Sequence, residues 1–349
     1  MKALALKTGK LCWNYIAGSR IDSPPTYYQG YVLFGAADGF IYCLRADDGQ
    51  QVWRFQVAPR NKLIVSHGLL ESAWPVHGSI IVIDGKVYAA SGRSTFLDGG
   101  MTAWVLEVKS GKVLETMQLD DSNVEFLGRR LSNRTPFPGV KTDLLVSDGE
   151  SLFIRNRKIF TNVVQGGKAI QITTKAGYFD GAIFNRTSQW NWGTQDLGDY
   201  AIADDRQAYG MKVYKTRHAD QGFFTPGKMK SELYGYRRNL SNKPKKGVSK
   251  MKPLWKCKPG IIVNTMLKAG STLYVAGSPD IRKKEDPWRF YEGRGHGALI
   301  TLSRKTGKII NKYKLESAPV YHGLSAAHSR LFISLRNGEV VCFGTEDAN

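Results

Sequence analysis

Three stretches of this 349-residue chain mix acids, bases and aromatics closely enough to do chemistry. LLESAWPVHG brings together Glu71, Trp74 and His77. Imidazole titrates near neutrality and a carboxylate can orient it, so His77 is a candidate general base; the competing reading is a strand histidine satisfied within the fold. SGRSTFLDGG carries Arg93, Ser94 and Asp98 between glycines. A guanidinium fork can clamp a carboxylate or sulfate through two parallel hydrogen bonds, but a structural pair between Arg93 and Asp98 is the favoured reading. GYFDGAIFNRTSQWNWG holds Asp180, Asn185, Arg186, Trp190 and Trp192. Its indoles can stack on a sugar or planar ring, or fill space between packed sheets.

Other patterns point away from specific chemistries. EGRGHGAL around His296 has the glycines of an anion cradle, yet phosphate-binding loops need a following helix, and no helical period follows. The six histidines show neither i, i+4 nor HxH spacing, so no metal site is expected. Cys12, Cys43, Cys257 and Cys342 stand singly, without a CxxC or an adjacent pair. They read as small buried hydrophobes and argue against zinc ribbons and redox dithiols.

The charge is unusual. Fifty Lys and Arg against thirty Asp and Glu leave +20, which invites a polyanionic partner. The excess is densest between 206 and 258, where Asp220 and Glu232 are the only acids. SNKPKKGVSKMKPLWKCK supplies Lys243, Lys245, Lys246 and Lys250, read either as a solvated loop or as a contact surface for phosphate, sulfate or uronate. A basic insertion at about 215–253 is expected. Without a recognised reading motif, nucleic acid is not the expected partner. No run of about 18 apolar residues is present, so no membrane-spanning helix is predicted. MKALALKTGK is interrupted too early for a secretory signal, which leaves the compartment open.

The elements that must position these groups are read from YVLFGAADGFIYCLRADDGQQVW, residues 31 to 53, which spells strand, Asp-Gly turn, strand, Asp-Gly turn, strand. Degraded copies follow at DGKVYAASG, DGESLFIRN, DRQAYGMKV, GSTLYVAGS and HSRLFISLRNG, in steps of roughly sixty residues. A second echo, KTGKLCW, DDGQQVW, KSGKVLE and KTGKIIN, sets a Gly turn before an outer strand that twice ends in Trp. Trp13 and Trp53 are expected to plug the gap between adjacent sheets. Four short strands per unit, repeated radially, make a β-propeller. The prediction is an all-β monomer spanning 1–349 as one domain: six blades of four antiparallel strands, or seven, closed by the N- and C-terminal strands. Its site is expected at the mouth of the central channel.

ALKTGKLCWNYIAG and LRADDGQQVWRF resemble the pyrroloquinoline-quinone-type (PQQ-like) propeller repeat. SPPTYYQGYVLFGAADGFIYCLRADDG, LLESAWPVHGSIIVIDGKVYAASGRSTFLDGG, TDLLVSDGESLFIRN and HSRLFISLRNGEVVCFG are similar to large exported propeller proteins of planctomycete-type bacteria. The resemblance implies a bacterial protein of the periplasm or exterior. Quinone-dependent members hold PQQ between a Trp and a vicinal disulfide, with calcium on Glu, Asn and Asp. Other members are non-catalytic scaffolds. The absence of adjacent cysteines makes a cofactor-free binding or scaffold module, acting on a protein or acidic polymer, the expected function. The alternative is a quinone-dependent oxidoreductase, or a lyase or hydrolase of anionic polysaccharide.

Overall fold

Short runs of β-branched and aromatic residues, each closed by a turn that tolerates positive φ, dictate antiparallel ribbons. In the computed structural model Tyr28 pairs with Tyr31 across Gln29 and Gly30, whose φ angles are 44° and 87°. Ile83 pairs with Lys86 across Asp84 and Gly85 at 48° and 75°. Positive φ at both turn residues matches the right-handed twist of the flanking strands. The structure describes residues 1–66, 68–95, 97–119, 145–147, 150–154, 157–161, 163, 172–174, 190–192, 195–198, 200–204, 206–212, 231–237 and 252–344.

The fold is all-β, of β-propeller blades, and the chain divides into two compact units, 1–182 and 183–349. In the first, four-stranded sheets run in chain order through Thr26–Tyr28, Tyr31–Gly35, Phe40–Arg45 and Gln51–Gln56, and through Ile81–Ile83, Lys86–Ser91, Met101–Glu107 and Val113–Leu119. A three-stranded sheet follows at Leu145–Ser147, Leu152–Ile154 and Arg157–Phe160. The first segment, assigned from sequence to closing a ring, forms a hairpin in which Lys2–Leu4 pairs with Leu11–Asn14. A second hairpin, Leu63–Ser66 with Leu69–Ser72, lies between the first two blades in sequence.

The second unit has four-stranded sheets through Tyr200–Ala203, Gln207–Lys212, Glu232–Arg237 and Trp255–Cys257, and through Ile261–Ala269, Thr272–Pro279, Gly297–Ser303 and Ile309–Leu315. A hairpin, Trp190–Trp192 with Gln195–Gly198, precedes them, and a three-stranded sheet ending at Val340–Gly344 follows. The stretch read as a basic insertion is divided by a core strand: Glu232–Arg237 pairs with Gln207–Lys212 and buries Leu233, Tyr234 and Tyr236. Local basic composition hid its apolar content.

One joint recurs between consecutive sheets. The Trp13 indole N–H donates to Ala46 O at 2.7 Å and its ring lies over Gly49. Trp53 donates to Val108 O at 2.9 Å and covers Gly111; Trp255 donates to Arg304 O at 3.0 Å and covers Gly307. A Cβ on these glycines would stand 2.5, 2.8 and 2.3 Å from the ring, and all three have positive φ. Glycine is required twice over, for the turn and for the approach. Asp204 adds a charged tie between two blades of the second unit, reaching Lys268 Nζ at 2.8 Å and Arg304 at 3.2 Å. Burial pushes its carboxyl up, but Lys268 and the N–H groups of Arg206 and Gln207 outweigh that and hold it at about 2.

Cysteine placement departs from the sequence reading: Cys43 is buried, Cys257 is half-buried, and Cys12 and Cys342 are exposed. Burial pushes the Cys43 thiol up to about 12. Cys12 and Cys342 lie on the last strands of their ladders, where one face meets solvent.

The joint makes a stability prediction. Trp53→Phe keeps most of the apolar contact but leaves the Val108 carbonyl without its donor, a loss of about 1–3 kcal/mol. Gly111→Ala, which forces a Cβ into the indole at positive φ, should lower the urea midpoint as well, followed by circular dichroism.

Candidate functional site

The charged residues of the first unit converge because a strap and a connector meet the 26–56 sheet where the strand Tyr31–Gly35 ends. The strap, residues 15–25, is held by Ala37 N–H to Arg20 O at 2.8 Å, and by the hydroxyls of Ser23 and Thr26 to Gly78 O and Ile80 O at 2.9 and 2.6 Å. The connector after Leu69–Ser72 is held by Ser72 N–H to Ala37 O at 2.8 Å and Val76 N–H to Ala36 O at 3.0 Å. Gly35 permits this crossing, since a Cβ there would lie 2.6 Å from Val76 O.

The crossing assembles a quartet. His77 Nδ1 donates to Asp22 Oδ2 at 2.5 Å, and Arg20 Nε bonds the other Asp22 oxygen. Arg20 Nη2 also reaches Glu71 Oε2 at 3.2 Å, and His77 Nε2 faces Glu71 Oε1 at 3.8 Å. The last separation exceeds a direct hydrogen bond. Glu71 is 3% exposed, so its charge needs these partners. Burial pushes the Asp22 carboxyl up, but hydrogen bonds from His77 and Arg20 and their charges outweigh it and hold the group below the ordinary carboxylate range.

A second cluster lies along the same connector. Asp98 accepts from Arg93 and, at 2.7 Å, from Lys62, and its carbonyl accepts the Trp74 indole N–H at 3.0 Å. Burial raises the Asp98 carboxyl, and the two cations bring it below its ordinary value. Arg60 lies over the Trp74 ring, 5.7 Å from its centroid. Thus Glu71 and His77 meet in one cluster, and Trp74, Arg93 and Asp98 in another. The favoured pairing of Arg93 with Asp98 is present. Sequence reading missed Arg20, Asp22 and Lys62; the only local signal was an Arg and an Asp in AGSRIDSPP, a strap with no other reason to be charged.

Asp180, Asn185, Arg186, Lys243, Lys245, Lys246 and Lys250 lie outside the described residues. Trp190 and Trp192 bound the strand Trp190–Trp192.

The Asp22–His77 pair fixes an imidazole tautomer as a general base requires. What Nε2 faces, however, is a carboxylate, an acceptor instead of a hydroxyl or thiol to deprotonate. Among the described residues no group of three His, Cys, Asp or Glu can hold a metal ion, and no two cysteines are adjacent in the chain. Without adjacent cysteines no vicinal disulfide can form in this chain.

Residues 2–128, which contain both clusters, match the family model described as outer membrane protein assembly factor BamB, of PQQ type. Over that stretch the chain is similar to PQQ-type propeller repeats. The chain is also similar to quinone-type alcohol dehydrogenase subunits, 29% identical over 124 residues for Gluconobacter oxydans and 30% over 125 for Komagataeibacter europaeus. In each case the match covers 32% of this chain and 16% of the relative. Among solved structures, BamB from Moraxella catarrhalis is 12% identical, covering 98% of this chain and 77% of that one at a TM-score of 0.45.

The quartet makes a pH prediction. A carboxyl with a depressed native value contributes stability that is present above the unfolded value, about 4, and lost as pH falls through the native one. Asp22→Asn should therefore cost about 1–2 kcal/mol near neutrality, and the gap to the parent chain should close below about pH 4, measured as the difference in Tm across a pH series.

Proposed function

We propose that this chain is a non-catalytic PQQ-like propeller acting as a binding module for an acidic polymer. The observation that carries the reading is the closure of the quartet: Arg20, Asp22, His77 and Glu71 use one another as partners, so the groups best suited to acid–base work serve as ties. The formal +20 of the chain favours a polyanion by long-range attraction. On this reading Lys243, Lys245, Lys246 and Lys250 belong to the contact surface. No described helix is long and apolar enough to cross a membrane.

A second reading, quinone-dependent oxidation, rests on the similarity of about a third of the chain to quinone-type dehydrogenase subunits. Added PQQ with calcium would then give a shifted quinone absorbance; an unchanged spectrum at saturating quinone removes it.

The binding reading is tested on immobilised heparin. The chain should be retained and released by salt, and joint replacement of Lys243, Lys245, Lys246 and Lys250 by Gln should bring elution to lower salt, because each lost ion contact reduces the salt dependence. Flow-through of the parent chain at low salt would refute it.

A further inference from the structure

Five of the six tryptophans whose side chains are described have a partner for the indole N–H. Trp13, Trp53, Trp74 and Trp255 donate to main-chain carbonyls and Trp104 donates to Ser91 Oγ. Trp288 has none among the described residues, and it is 40% exposed. It sits in the loop between the strands Thr272–Pro279 and Gly297–Ser303.

The loop is built to present that ring. Phe290, 4% exposed, points inward and packs edge-on against His296 with centroids 5.1 Å apart. Arg294 grips Asp286 through two hydrogen bonds and also reaches Glu292 at 2.6 Å. The turn after the strand Arg330–Leu335 contributes Arg336, whose guanidinium donates to Glu292 O. Glu292 N–H to Trp288 O at 2.9 Å and Arg294 N–H to Arg289 O at 2.8 Å close the chain on itself. Tyr291 supports the indole edge-on at 5.6 Å. An exposed aromatic on a braced loop offers a binding face at small cost in ordering.

The charges around it are sorted. Arg294 takes up Asp286 and Glu292; among the described residues the exposed Arg282, Lys283, Lys284 and Arg289 have no ion-pair partner, and the loop's remaining acids are Asp280 and Glu285. Beside the same loop, burial first and then the field of Lys314, Arg289 and Lys283 hold the His296 imidazole below its ordinary value, countered in part by Glu316.

We infer that the Trp288 loop is a binding site for an acidic polysaccharide, with one sugar ring stacked on the indole and its sulfate or uronate groups on Lys283, Lys284 and Arg289. This rests on the polyanion reading above and gives it a location and a ligand class. A ring face with a free N–H at its edge and cations on both sides in sequence suits a pyranose bearing acid groups. Single-stranded nucleic acid binders use several successive stacking aromatics, whereas Trp288 is the one exposed indole among the described side chains.

The test is titration of the full chain with a heparin octasaccharide, a galacturonate octamer, neutral dextran and a single-stranded oligonucleotide, read by tryptophan fluorescence and calorimetry. The acidic sugars should change the fluorescence and bind. Trp288→Ala should weaken binding about fivefold or more while Trp288→Phe retains most of it, and K283A/K284A/R289A should flatten its salt dependence. Dextran should not bind. Unchanged affinity in both the Trp288→Ala and the triple variant would overturn the loop while leaving the polyanion reading standing. Absence of binding to every acidic polymer overturns both. Tighter, Trp288-dependent binding of the oligonucleotide overturns the sugar assignment. Folding of each variant is checked by circular dichroism; Trp288 is exposed, so its removal leaves no buried cavity.

Discussion

An indole laid across a glycine turn, with its N–H on the carbonyl three residues before that glycine, is the contact on which the blades depend. Neither half works alone. The ring needs a surface with no side chain, and the turn needs positive φ at the same residue, so glycine meets both demands at Gly49, Gly111 and Gly307. The hydrogen bond then fixes the rotation of the ring, so the contact sets register as well as distance. Four-stranded sheets whose faces are apolar would otherwise slide on one another, since burial alone is non-directional.

Within the first unit a second set of contacts forms where the strand Tyr31–Gly35 ends. Because the strap is hydrogen-bonded to Ala37 and the connector to Ala36 and Ala37 at one strand end, Arg20 and Asp22 meet Glu71 and His77 although the pairs lie some fifty residues apart. Charges brought together in this way in a poorly solvated place stabilise mainly by satisfying each other. Replacing one leaves its neighbours exposed to the full cost of burial.

Much of the fold was legible. The Gly-to-Trp spacing in KTGKLCW and DDGQQVW marked Trp13 and Trp53 as packing residues, and the indoles are found there. Trp255 carried no such mark, because no glycine stands four residues before it. The strand Glu232–Arg237 was masked by its basic surroundings even though it packs two tyrosines and a leucine into the core. The quartet was half legible: Glu71 and His77 drew notice as a local motif, while Arg20 and Asp22 acquire meaning only through partners supplied by the crossing. Trp288 was passed over because an indole in a charged loop looks like any other until the hydrogen bonding of its siblings is known.

The spacing across the three joints varies widely: 33, 55 and 49 residues separate each indole from the carbonyl it contacts. A joint that asks for one ring, one glycine and one carbonyl is indifferent to the length of chain in between. Such a scaffold can lengthen a connector, or copy a whole sheet, without renegotiating its core. Novelty can therefore accumulate in the connectors at little risk to folding, and the 280–296 loop, braced by its own arginine, is the kind of addition such an architecture tolerates.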